Sequence, residues 1–173
     1  MENYLDLQND KDYSKLKLPG KIINQGGIVV FPTETVYGIG TNGLNDLSIQ
    51  KLYNVKNRPL NKPISLLVNN IAMVEHVAKN ITKLDYALME AFFPGPLTII
   101  LEKKSCVPNI LTSNTNFVGV RIPNNEIALK LIEYANVPIA TPSANISGKP
   151  SGINFDYVKS SFKNNVDFYI NGR

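Results

Sequence analysis

Three short segments of the chain gather groups able to hold an anion. Phe31-Pro-Thr-Glu-Thr-Val-Tyr-Gly38 presents two hydroxyls and a carboxylate. Lys56-Asn-Arg-Pro-Leu-Asn-Lys-Pro63 places three cations within seven residues, and two prolines stiffen the loop that carries them. Pro138-Ile-Ala-Thr-Pro-Ser-Ala-Asn-Ile-Ser-Gly-Lys-Pro-Ser151 offers Ser143, Asn145, Ser147 and Ser151 as uncharged donors. Fixed cations suit a triphosphate, whose charge a single lysine does not neutralise. Pro94-Gly-Pro96 stands before one apparent strand and Arg121 at the end of another. Taken singly, loop Ser, Asn and Pro residues usually make turns, and a Lys/Arg trio is usually a solvated face. Three such loops at strand ends, where α/β proteins place their ligands, point to an anion pocket.

Other chemistry-bearing patterns carry less. Gly38-Ile-Gly-Thr-Asn-Gly43 matches G-x-G-x-x-G. A dinucleotide fingerprint needs its glycines directly after a strand and a carboxylate further on; here Pro32 to Tyr37 intervene, and the next strand ends at Val68-Asn69-Asn70. The expected role of these glycines is a tight segment at positive φ. The only histidine, His76, lies in an amphipathic helix with no nucleophile beside it, which argues against a His-dependent triad. There is no G-x-x-x-x-G-K-[ST] phosphate loop. The only cysteine, Cys106, sits in a polar loop before Pro108 and makes neither an internal disulfide nor a Cys-cluster zinc site. A reducing, cytoplasmic compartment is the simplest reading.

The elements that must position these loops follow from pattern. The chain has 173 residues, 43% hydrophobic and 18% charged, with mean hydropathy −0.09: the composition of a folded domain, not of a disordered or membrane-spanning one. The net charge of +4 and pI near 9.1 suit a nucleotide or another polyanion. No long basic block marks a nucleic-acid tail, and the polar N-terminus lacks the form of a secretory signal. Strands are predicted at Ile28–Pro32, Ile64–Val68, Leu97–Glu102, Phe117–Ile122, Pro138–Thr141 and Val166–Ile170. Helices are predicted at Asp46–Asn57, Ile71–Ala78, Thr82–Phe92, Asn125–Tyr134 and Phe155–Phe162, with a short one beginning near Pro19. Thr82 and Asp85 form a near capping box, and Pro94 closes the helix that follows. Alternating strands and helices indicate an α/β domain around one mixed sheet. The last strand is followed by Asn171-Gly172, a turn signal that calls for a partner strand. The reading therefore expects a single domain over 1–173 that lacks its C-terminal strand segment, with the edge beside Val166–Ile170 incompletely paired.

Five segments occur in a telling order: Phe-Pro-Thr-Glu-Thr-Val-Tyr-Gly (31–38), Lys-Asn-Arg-Pro (56–59), Pro-Gly-Pro-Leu-Thr (94–98), Val-Gly-Val-Arg-Ile-Pro (118–123) and Pro-Ser-Ala-Asn (142–145). Over residues 15–173 the chain resembles the YrdC-like family, the threonylcarbamoyl-AMP synthases. The resemblance implies a twisted open mixed sheet flanked by helices, with a concave basic cavity. It implies a nucleotidyltransferase that makes threonylcarbamoyl-adenylate from L-threonine, bicarbonate and ATP, with Mg2+, and releases pyrophosphate. The product would pass to the tRNA threonylcarbamoyl transferase for t6A formation at tRNA position 37. Carried over residue by residue, Lys56, Arg58, Ser143 and Asn145 match the Lys-x-Arg and Ser-x-Asn signature and would serve catalysis. Arg58, Lys62, Ser143 and Ser151 would hold ATP; Thr35, Arg121 and Thr141 would hold threonine, with Leu67 and Phe117 lining the pocket. No protein ligand for a metal is assigned. Cations suit phosphates and an Arg fork suits an amino-acid carboxylate, so the residues agree with these roles. Glu34 is expected to cap nearby backbone amides. In the family a Gly-rich turn and a Ser-Thr strand follow the strand matching Val166–Ile170, and longer members carry a second domain; from that difference weak ATP binding is expected.

Two other functions share the fold. A non-catalytic double-stranded RNA-binding module would bind RNA salt-dependently without releasing pyrophosphate, yet no basic-aromatic interleaving is visible. A carbamoyl-transfer domain of hydrogenase maturation normally comes with zinc-finger and acylphosphatase-like partners.

Overall fold

Asparagine caps half of the α-helix ends. In the computed structural model, which describes residues 3–173, Asn45, Asn70, Asn125 and Asn154 are N-caps. Their side-chain oxygens accept from the amides of Ser48, Met73, Ala128 and Tyr157 at 2.8–3.1 Å. Asn57 and Asn136 end two helices in the left-handed region, at φ 54° and 55°. Thr82 and Asp85 complete the full reciprocal capping box. The resulting helices are α1 (Lys17–Asn24), α2 (Asp46–Lys56), α3 (Ile71–Val77), α4 (Lys83–Phe92), α5 (Glu126–Ala135) and α6 (Phe155–Phe162). All six match the sequence expectation to within a few residues, and Pro19 falls in the first turn of α1.

The strands are β1 (Tyr4–Asp6), β2 (Val29–Phe31), β3 (Gly38–Asn42), β4 (Leu66–Leu67), β5 (Ala78–Lys79), β6 (Ile99–Lys103), β7 (Phe117–Arg121), β8 (Ile139–Ala140) and β9 (Phe168–Asn171). They form one nine-stranded mixed sheet in the order β1-β9-β2-β3-β8-β4-β7-β6-β5. β3 joins the halves: Gly38–Gly40 pairs antiparallel with β2, and Thr41–Asn42 with β8.

Side-chain alternation builds a core on each face. On one face Val29, Phe31, Phe168 and Ile170 meet Ile23 of α1 and Ile127, Leu131 and Ile132 of α5. On the other, Ile28, Val30, Tyr37, Val118 and Val120 meet Ile49, Leu52 and Tyr53 of α2, Met89 of α4 and Phe162 of α6. Strands buried on both faces read as continuous apolar runs, as Ile28–Phe31 does. The α1/α5 layer does not reach across β6 and β7: there Ile100 is 63% exposed and Phe117 56%.

Three expectations need correction. The segment Gly38–Asn42 is a strand, and Gly38, Gly40 and Gly43 are not among the positive-φ residues. Their need for glycine is steric: a Cβ would lie 2.6 Å from Thr141 Cγ2 at position 38 and 2.5 Å from Ile139 Cγ2 at position 40. Two short strands, β1 and β5, were not expected, because neither shows a long alternating run. Finally, the last strand is not an unpaired edge. β9 lies between β1 and β2, parallel to both, and Asn171 belongs to it.

Candidate active site

The loop after β2 returns to β3 in a tight hydroxyl turn. Thr33 Oγ1 donates to the Val36 carbonyl at 2.6 Å and accepts from the Thr35 amide at 3.2 Å. Tyr37 then joins this loop to the segment after β8. Its amide donates to Gly152 O and its carbonyl accepts from Ala144 N, both at 2.7 Å. Its hydroxyl donates to Asn171 Oδ1 at 2.9 Å, so buried β9 anchors the same residue.

Beneath these loops lies a cavity of about 160 Å³ lined by Thr33, Thr35, Val36, Tyr37, Gly38, Leu67, Arg121, Thr141, Pro142 and Ser143. Arg121 ends β7 beside its parallel partner Leu67 of β4. Its Nε donates to Gly95 O at 3.0 Å, and its Nη2 pairs with Glu34 Oε1 and lies 3.4 Å from Thr35 Oγ1. Glu34 Oε2 accepts from the Asn124 amide at 2.6 Å, the capping role expected of it. Four of the residues expected to hold threonine, Thr35, Leu67, Arg121 and Thr141, thus line one cavity, together with Ser143. Phe117 is not with them. It shares Arg121's face but sits four residues away, at the opposite end of β7, paired with Glu102. At about 3.3 Å per residue that separation is roughly 13 Å.

A second cluster holds the Ser-x-Asn segment. Lys56, at the end of α2, is 1% exposed. Its Nζ donates to Ser143 O at 2.6 Å, Asn145 O at 2.7 Å and Asn145 Oδ1 at 3.3 Å. All three ammonium hydrogens are thereby used. Burial, and secondarily the Arg58 charge, push this ammonium down to about 8. Ser143 Oγ also donates to Asn145 Oδ1, and Asn145 Nδ2 donates to Ile146 O and Lys149 O at 3.2 and 2.9 Å. The Ser147 amide reaches back to Lys56 O at 2.9 Å. Lys56 therefore does not present a charge to the cavity, contrary to the expectation of three cations arrayed for phosphates; it fixes a turn.

The two remaining cations face outward. Half-buried Arg58 staples its own loop through Nε to Lys62 O at 3.1 Å and Nη2 to Pro63 O at 2.9 Å. Lys62 is exposed, and its ammonium has no ion pair or hydrogen-bond partner among the described residues. Ser151 is exposed on the segment that Tyr37 ties down. His76 is exposed at the end of α3, where its carbonyl accepts from Cys106 Sγ at 3.4 Å. Among the described residues, no group of three or more His, Cys, Asp or Glu side chains gathers to hold a metal, and no helix is long and apolar enough to cross a membrane.

Sequence reasoning missed Glu34 as the partner of Arg121 and Gly95 as its second anchor. The Arg121 and Glu34 positions are 87 residues apart, and no local periodicity links them.

The fold and site define an α/β domain whose loops close a small polar cavity around an arginine. A family profile described as "Telomere recombination", Sua5/YciO/YrdC, matches residues 21–173. Threonylcarbamoyl-AMP synthase of Pyrococcus abyssi is 40% identical over 158 residues, 91% of this chain and 46% of that protein. The enzyme of the same name from Bacillus subtilis is 35% identical over 155 residues, 87% of this chain and 44% of its own length. The crystal structure of P. abyssi Sua5 complexed with L-threonine superposes with a TM-score of 0.95 at 38% identity, covering 98% of this chain and 50% of that one. The chain belongs to the Sua5/YciO/YrdC family, and it spans about half the length of these relatives.

Proposed function

We propose that this domain carries the active site of a threonylcarbamoyl-AMP synthase acting on L-threonine, bicarbonate and ATP. One observation carries the reading: Arg121 lines a cavity of about 160 Å³ together with Thr35, Thr141 and apolar Leu67. A fixed Arg fork suits a carboxylate, two hydroxyls suit a side-chain OH, and a leucine suits a methyl group. The threonine complex of P. abyssi Sua5 supports the assignment. ATP would lie along the outer loops, its phosphates facing Arg58 and Lys62, with Ser143 and Ser151 as neutral contacts. Lys56 and Asn145 would hold Ser143 in place.

The chemistry needs no protein nucleophile. The threonine amine and bicarbonate give a carbamate and water. A carbamate oxygen then attacks the α-phosphorus of ATP, forming the acyl–phosphate bond as the bond to pyrophosphate breaks. Positioning and charge stabilisation are the protein's part in such a displacement. Magnesium, when bound, would ride on the phosphates and supply countercharge. The product would serve t6A formation in tRNA through a separate transferase.

The test is pyrophosphate release, measured with threonine, bicarbonate and ATP each omitted in turn. Release that depends on all three is expected. Release that persists without threonine or without bicarbonate would rule the reading out.

A further inference from the structure

The Glu34–Arg121 pair bears on what the cavity selects, and its role rests on the threonine reading proposed above. Both side chains are largely shielded, with 20% of Glu34 and 15% of Arg121 exposed. The two Glu34 oxygens have separate partners. One takes Arg121 Nη2; the other takes the Asn124 amide at 2.6 Å, immediately before the cap of α5. Gly95 O holds Arg121 Nε from the other side at 3.0 Å. The guanidinium plane is therefore fixed at two corners. Its Nη1 has no partner among the described residues, and Arg121 is the only charged side chain lining the cavity.

An arginine fixed in this way without a counter-ion would attract any small carboxylate. Glu34 removes that indiscriminate pull, since an adjacent anion cancels most of the field while leaving the directed N–H groups in place. The anion's advantage is then gone, and the Glu34 carboxylate beside the fork favours a ligand that carries an ammonium next to its carboxylate over one that carries a neutral hydroxyl there. We infer that Glu34 is a positioning residue that acts through Arg121. It holds the fork in plane and balances its charge, so that the cavity takes a zwitterionic α-amino acid in preference to the corresponding α-hydroxy acid anion.

The experiment is calorimetric titration of the whole chain with L-threonine and with its α-hydroxy analogue, in which a hydroxyl replaces the amine. Parent, Glu34→Gln and Glu34→Asp proteins are compared. The parent should prefer threonine by about tenfold or more. Glu34→Gln keeps the shape and loses the charge. It should bind threonine roughly tenfold more weakly and the hydroxy acid as well as or better than the parent does, so the preference collapses. Glu34→Asp restores the charge and should restore the preference, even at lower affinity for both ligands. An equal loss of both ligands in Glu34→Gln would show mere structural support and overturn the inference, as would two unchanged affinities. Should Glu34→Gln not fold, Glu34→Asp decides: a retained preference supports the inference and a lost one overturns it. A parent that binds no threonine would sink the threonine reading itself, whereas a parent that binds it with an unmoved preference in the variants sinks only the role of Glu34.

Discussion

The two halves of the sheet are built to different standards of cover. In the β9–β2–β3 half, both faces are closed: Phe168 and Ile170 on one side and Tyr169 on the other are all buried, as is every residue of β2. In the β7–β6 half, Val118, Val120, Ile99 and Leu101 are buried, while Ile100 and Phe117 on the opposite face are more than half exposed. The loops that form the site grow from the closed half and from β8 and reach the ends of β4 and β7. The closed half holds the groups still, and the half-open one leaves a ligand somewhere to lie. Precise placement and access thus come from different strands of one sheet.

The contrast can be tested directly. Ile170→Ala, in the closed half, should cost about 2–5 kcal/mol of stability in urea unfolding, whereas Ile100→Ala should stay within about 0.5 kcal/mol. Similar losses for both would erase the distinction.

A smaller effect belongs to Lys56. Its ammonium is pushed down to about 8 in the folded protein, against about 10.4 in an unfolded chain. Between those values the unfolded state binds a proton that the folded state lacks, so this lysine makes stability rise with pH in that window. Below about 8 the buried charge is carried at a penalty. Lys56→Met should lose that rise between pH 8 and 10, and should cost about 1–3 kcal/mol at neutral pH, because the Asn145 carbonyl loses its partner while Ser143 O and Asn145 Oδ1 keep theirs in the Asn145 amide and Ser143 Oγ. Parallel stability–pH curves for parent and variant would refute the assignment.

The smallest effect concerns the outer loop. Arg58→Ala should weaken ATP binding roughly tenfold to a hundredfold, the weight of a charge-assisted contact, while His76→Ala leaves it unchanged. Fluorescent-nucleotide titration of both variants distinguishes them, and equal behaviour would remove the anion role from the 56–62 loop.

Much of this arrangement was legible in the residues. Caps and periodicity gave all six helices, and the apolar runs gave the long strands. The three loops do converge, and Thr35, Leu67, Arg121, Thr141 and Ser143 do share a cavity. What could not be read was direction. A lysine in a basic loop announces a charge, not whether it faces solvent; Lys56 turns inward because Asn145 and Ser143 supply oxygens from 87 to 89 positions away. Phe117 obeys the two-residue period that puts it on Arg121's face, but that period does not say which end of a strand the loops close over. The strand at Gly38 was invisible because its glycines answer to the methyl groups of Thr141 and Ile139, not to β-propensity.

The position of β9 also orders events in time. Residues 168–171 slot between β1 and β2, whose own residues precede them by well over a hundred positions. As the chain leaves the ribosome, β1 and β2 both wait without an inner neighbour, their backbone groups unmet along that side. The more thoroughly covered half of this sheet is thus completed after the other, and Tyr37, which takes its buried hydroxyl partner from Asn171, cannot be locked until then. The cavity loops acquire their anchor only once residue 171 has been made.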